Sequence, residues 1–183
     1  MKTTIKLLSL LMVMAGFVSC ESIKSLADVE FETNVNTDLD IKVADQAKKS
    51  AQPPYDWDTS AVLNPTLDPE VKKYVDKIQR YEVNSITATV TWVSGPDIKL
   101  LADTWFMLSD DTDHVTWTLP ENFNATVNNS YTLGNDNNEW TIVNRILGRN
   151  AEFTLSSAGE SNQNNVTVVL KLSIGAIVTA NPL

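Results

Sequence analysis

The chain of 183 residues has one cysteine and one histidine. A single thiol excludes an intramolecular disulfide and any cysteine-rich zinc site. One imidazole leaves almost no material for histidine-based metal or acid–base chemistry. Basic residues are also scarce, 14 Lys and Arg against 23 Asp and Glu, for a net charge of −9. Phosphate binding needs a clustered Lys/Arg surface, so nucleic acid is excluded as a partner. The Gly-x-Ser-x-Gly elbow, the His-Glu-x-x-His pair and the P-loop are all missing. A carboxylate-based hydrolase is the weakest function class, because 23 acids always offer some pair and only their spatial separation would mean anything. The expectation is a protein that is not an enzyme.

One long apolar run is present, Leu7 to Val18, preceded by Lys2 and Lys6. Its twelve residues give about 18 Å of helix, too short for a hydrocarbon core of about 30 Å. A charged start, a short apolar stretch and small residues at its end describe a secretory signal peptide over 1–19. Residues 20–27 then form a tether, and a single domain fills 28–183, a size ordinary for one domain.

Phe17-Val18-Ser19-Cys20 resembles the lipobox of bacterial envelope lipoproteins of the Bacteroidota type, with Phe17 where Leu is preferred. The resemblance implies cleavage after Ser19, thioether-linked diacylglycerol on Cys20 and an acylated amine (palmitate). It also implies an outer-membrane location, since Glu21 and not Asp follows the cysteine. Two or three acyl chains would hold firmly where one holds only marginally.

The remaining chain reads mostly as strands. Val29, Phe31, Thr33 and Val35 alternate with polar neighbours, and so do Leu39, Ile41 and Val43 beyond Asn36-Thr37. They predict either a hairpin or one long strand. Residues 44–67, punctuated by Pro53, Pro54 and Pro65, read as a long loop or irregular helix. Asp68-Pro69-Glu70 is a helix start, and Val71, Tyr74, Val75 and Ile78 continue the stripe of a helix to about 81. Strands are predicted at 86–92, 98–108, 115–119, 125–127, 131–133, around Phe153 and Leu155, and from Val166 to Ile174. A helix over 140–147, capped by Asn137 or Asn138, has Gly148 placed to end it. The sum is a mainly β protein, an antiparallel β-sandwich of Ig-like or jelly-roll style with one or two short helical inserts. In style it is similar to β-sandwich lipoproteins of unknown role.

Two constellations stand out. Tyr55, Asp56, Trp57 and Asp58 interleave aromatic rings with carboxylates, which suits stacking on a sugar ring and accepting its hydroxyl hydrogen bonds; a plug for the sandwich end is the plainer account. Asp110, Asp111 and Asp113 could offer oxygen ligands to Ca²⁺, as could the loop from Asn135 to Glu139, though neither has the EF-hand pattern and a solvated turn explains both. Trp92 and Trp117 fall on apolar strand faces and are assigned to the core, Trp105 is ambiguous, and His114 is a surface residue. The expected role is a lipid-anchored binding module for a glycan or an envelope protein. The rival is an assembly component of an outer-membrane complex with no small ligand.

Overall fold

The alternation from Val29 to Val43 makes one strand, β1, and not a hairpin. It turns Val35, Leu39, Ile41 and Val43 inward and Glu30, Glu32, Asp38 and Asp40 outward. Asn36-Thr37 does not interrupt it, because the strand β10 (Val166–Ala180) pairs with it along its whole length, from Val29 opposite Ala180 to Val43 opposite Val166. The Ser173 hydroxyl donates to Asn36 Oδ1 at 2.6 Å within that ladder. The computed structural model describes residues 28–44 and 52–183. The signal segment, Cys20 and the tether lie outside the described residues. No helix among the described residues is long and apolar enough to cross a membrane.

β10 also pairs with β3 (Ile78–Val93), and β3 with the short β8 (Ser130–Thr132), giving a four-stranded sheet in the order β1-β10-β3-β8. The second sheet has six strands. β9 (Phe153–Ser161) lies between β2 (Tyr55–Leu63) on one edge and β5 (Trp105–Ser109) and β4 (Lys99–Leu100) on the other. β6 (His114–Thr118) continues from β5, and β7 (Phe123–Asn124) from β4. Every pairing is antiparallel, so the β-sandwich class expected from the sequence is the class observed. The inward faces form one apolar core that includes Ile41, Leu63, Ile86, Leu108, Leu155 and Ile174.

Several local expectations are corrected. Residues 55–63 are strand and not loop: Tyr55, Trp57 and Leu63 point in while Asp56 and Asp58 point out, an alternation hidden by its small or polar members at 59–61. The helix begins as expected, with Asp68 Oδ1 accepting from the amides of Glu70 (2.8 Å) and Val71 (3.1 Å). It is only α1 (Pro69–Tyr74) followed by a 3₁₀ turn, Val75–Lys77. Ile78 carries apolar character at helical spacing, but its ladder position opposite Ala180 takes precedence. The run 98–108 is cut by a turn in which Asp103 takes φ 67°, so β4 and β5 are separate strands. The strands expected at 125–127 and 131–133 sit slightly earlier, at β7 and β8. Helix α2 (Glu139–Gly148) includes Gly148; the left-handed residue beyond it is Asn150, φ 51°. Asn138 stands at its N-cap position without a side-chain cap, and Asn135 Oδ1 accepts from the Trp140 amide instead, at 2.9 Å.

β3 carries three bulges against β10. Its inward positions step by three and not two from Ile78 to Tyr81, from Val83 to Ile86 and from Val90 to Val93, where the ladder skips Gln79, Asn84 and Thr91. Each bulge turns two consecutive residues outward and increases the local twist. At the middle bulge β10 offers Gly175, and a Cβ there would come within 2.4 Å of Ser85 Oγ and 2.8 Å of Asn84 Oδ1.

Gly159 in β9 is pinned differently. A Cβ there would lie 2.3 Å from Thr104 Oγ1 and 2.9 Å from Thr104 Cα, so backbone has to yield. Gly148 has nothing within 4 Å of such a Cβ. In urea unfolding, Gly159→Ala is expected to lose about 1–3 kcal/mol by overpacking, whereas Gly148→Ala is expected to gain about 0.5–1 kcal/mol from helix propensity. Equal effects at the two sites would refute this account of the β5–β9 contact.

Candidate functional site

The first constellation does not assemble. Trp57 is 5% exposed and Tyr55 is buried with it, while Asp56 and Asp58 face solvent from the opposite side of β2. Rings and carboxylates on opposite faces of one strand cannot grip the same ligand. Trp57 pairs with Gly159, whose bare Cα leaves room for Thr104, so the three residues form an inner row across β2, β9 and the residue that precedes β5. Trp57 Nε1 and Thr104 Oγ1 both lack a protein partner in this row. Trp57 therefore fills the core. Trp57→Ala is expected to lower unfolding free energy by about 3–5 kcal/mol; a variant as stable as the parent would restore the loop assignment.

The acidic turn is likewise a correction. Asp110 Oδ1 accepts from the amides of Thr112 (2.8 Å) and Asp113 (2.7 Å), which closes the β5–β6 turn. Arg149 donates to Asp110 and Asp113, and Arg145 Nη2 to Asp113 Oδ1 at 2.9 Å. Two guanidiniums from the last turns of α2 supply the positive charge a cation would have brought, so Asp110 and Asp113 are not a calcium site. Asp111 is exposed to solvent. Among the described residues no group of three or more His, Cys, Asp or Glu is arranged to hold a metal ion. The Asn135–Glu139 loop uses its oxygens on its own backbone, Glu139 Oε2 accepting from the Asn137 amide at 2.7 Å. That bond draws the Glu139 carboxyl below its ordinary value.

The arginine hydrogen bonds, from Arg145 first and Arg149 second, pull the Asp113 carboxyl down to about 2 from an ordinary 3.8. For Asp110 burial pushes upward, but the amides of Asp113 and Thr112 and then Arg149 outweigh it, and the net direction is down. A carboxyl held lower in the folded state stabilises fully above its unfolded pKa and loses that contribution as pH falls through the folded one. The turn should therefore hold at neutral pH and weaken between about pH 4 and pH 2. Acid unfolding followed by circular dichroism should show this loss in the parent and a shallower one in Arg149→Ala, which starts from lower stability at pH 7; parallel profiles would refute the linkage.

Trp117 is buried, donating from Nε1 to the Gly134 carbonyl at 2.8 Å, and His114 is exposed at the start of β6, both as expected. Trp105 is half-buried. Trp92 is not in the core. It is 50% exposed, and it is the one aromatic among the exposed large apolar residues described. The cause is the bulge at Thr91, which adds a residue after Val90 and flips the phase. Thr91 and Trp92 both face outward opposite Val169, and the Thr91 hydroxyl donates to the Val169 carbonyl at 3.2 Å.

Around Trp92 the outer face of the four-stranded sheet is polar. Asp40 lies beyond Val169 in the same row, 3.9 Å from Lys42 Nζ. In the next row Asp38 stands opposite Lys171, and in the row after it Asn36 stands opposite Ser173. A shallow open groove of about 520 Å³ crosses β1, β10 and β3, lined by Asn36, Thr37, Asp38, Thr91 and Lys171. Asn36 is oriented from both sides, its amide donating to the Asn34 carbonyl at 2.9 Å while its oxygen accepts from Ser173. Sequence periodicity missed this site because it carried a period of two through residue 92. The signal that reveals it is Val93, apolar three positions after Val90.

No protein-family model matches the chain, and no curated protein matches it. Among solved structures it is similar to a decameric BFDV capsid protein, at 10% identity and TM-score 0.45 over 82% of this chain and 99% of that one. A 60-mer BFDV capsid protein matches at 9% identity and TM-score 0.41, over 85% and 96%. A Desmodium yellow mottle tymovirus structure matches at 8% and 0.38, over 85% and 89%. At such identities and scores these neighbours say nothing of what this chain binds or does.

Proposed function

We propose that the chain is a lipid-anchored, non-catalytic protein of the cell envelope, held in the outer membrane through Cys20, and that its sandwich is a binding module. The observation that carries the binding part is Trp92. A bulge sets an indole on an otherwise polar sheet face, beside a groove, where an inward phase would have buried it. Among the described residues, the carboxyls drawn clearly below their ordinary values, Asp110, Asp113 and Glu139, are engaged by hydrogen bonds within the fold and are committed to structure.

Along β1, from Val29 to Asp40 in the Trp92 row is eleven residues of strand, about 36 Å at 3.3 Å each, so the indole lies toward the end of β1 far from its first residue. In membrane fractionation the parent is expected in the detergent-soluble membrane pellet and Cys20→Ala in the aqueous fraction; a Cys20→Ala protein that stays with the membrane would overturn the anchor.

A further inference from the structure

We propose that the outer face of the four-stranded sheet, from Trp92 to Asn36, binds a neutral glycan along its length. This rests on the binding-module assignment above and names its ligand class. From the Lys42 row to the Asn36 row this face holds two acids and two bases, in a chain whose net charge is −9: Asp38 stands opposite Lys171, and Asp40 beside Lys42. A polyanion or a polycation would meet a repelling partner in each pair. A polyol meets a donor and an acceptor each time, because the ammonium supplies three N–H donors and the carboxylate accepts.

The Asp38 carboxylate and the Lys171 ammonium have no hydrogen-bond or ion-pair partner among the described residues, although the two residues stand opposite each other in the ladder. Their polar atoms are available to vicinal hydroxyls. Trp92 supplies the remaining element, an apolar plate for the C–H face of a pyranose ring. Thr91 is tied to the Val169 carbonyl and Asn36 to Ser173 and Asn34, so these two lose little side-chain freedom on binding. From the Asp40 row to the Asn36 row is four residues, about 13 Å of strand, longer than a single ring. The groove is open and not a closed pocket, which suits the interior of a glycan chain better than its end.

The test uses the full lipidated chain in detergent and calorimetry against neutral hexasaccharides (β-1,4-glucan, xylan, mannan and α-glucan), with polygalacturonate as the charged control. The expected result is binding to at least one neutral glycan, weakened about tenfold by Trp92→Ala and several-fold by Asp38→Ala or Lys171→Ala, and largely kept by Trp92→Phe. Circular dichroism melting curves matching the parent would show that these surface variants fold. The proposal fails if no neutral glycan binds, if polygalacturonate binds better, or if Trp92→Ala binds as the parent does. It also fails if sedimentation shows a dimer that Trp92→Ala dissolves, since a second copy would then be the occupant. Loss of glycan binding as the explanation leaves the module itself standing where photocrosslinking from the Trp92 face to an envelope protein depends on Trp92. If Trp92→Ala changes no measured contact at all, the binding module falls as well.

Discussion

The shared ladder of β10 is the constraint on which the four-stranded sheet depends. β1 pairs with one edge of β10 over its full length, and β3 pairs with the other over almost all of its own. Val168, Leu170, Leu172, Ile174, Ala176 and Val178 are all buried, so β10 also lines the core through most of its span. β1 is continuous against it; β3 is bulged three times. The mismatch has to be absorbed on one strand, and β3 absorbs it as outward doublets. Those doublets place Gln79-Arg80, Asn84-Ser85 and Thr91-Trp92 on the outer face. The surface chemistry of that face is thus a product of ladder geometry as much as of composition.

The opposite part of the sandwich is organised by charge. α2 packs on β3, where Asn144 Oδ1 accepts from the Val83 amide at 2.8 Å. Its far end reaches the β5–β6 turn through Arg145 and Arg149. The Asp110 and Asp113 side chains are only 10% and 18% exposed, so removing one partner would leave a partly desolvated charge behind. The helix includes Gly148, and Arg149 at its C-cap keeps helical backbone angles before Asn150 turns the chain, which brings Arg149 to both carboxylates. One helix therefore joins the two sheets from its C-terminal half, Asn144 bonding to β3 while Arg145 and Arg149 pair with the β5–β6 turn.

The sandwich class, the inward set of β1 and β10 and the Asp68 helix start were legible because each follows from local chemistry: alternation, or a capping residue before proline. β2 was not, since its inward positions include Thr59 and Ala61 and its outward ones Val62, and burial there is decided by pairing with β9. Gly148 looked like a helix stop because glycine ends helices cheaply; it is instead the last helical residue, with Arg149 at the C-cap and in ion-pair contact with the β5–β6 turn. The acidic turn read as a metal loop because its counter-charges, Arg145 and Arg149, are distant in sequence. Trp92 was misplaced by a single inserted residue, the error to which a period of two is most sensitive.

The first and last strands in chain order are direct neighbours, Val29 opposite Ala180 and Val43 opposite Val166. β3 also waits on β10, so the principal ladders of this sheet join residues far apart in sequence and have no partner until 166–180 arrive. Such non-local pairing makes loop closure the slow step, because its entropy is lost before the contacts form. The strands of the second sheet all precede residue 162, so only the four-stranded sheet has to wait for the final strand. A cut anywhere before residue 166 would therefore leave both β1 and β3 without the strand that joins them.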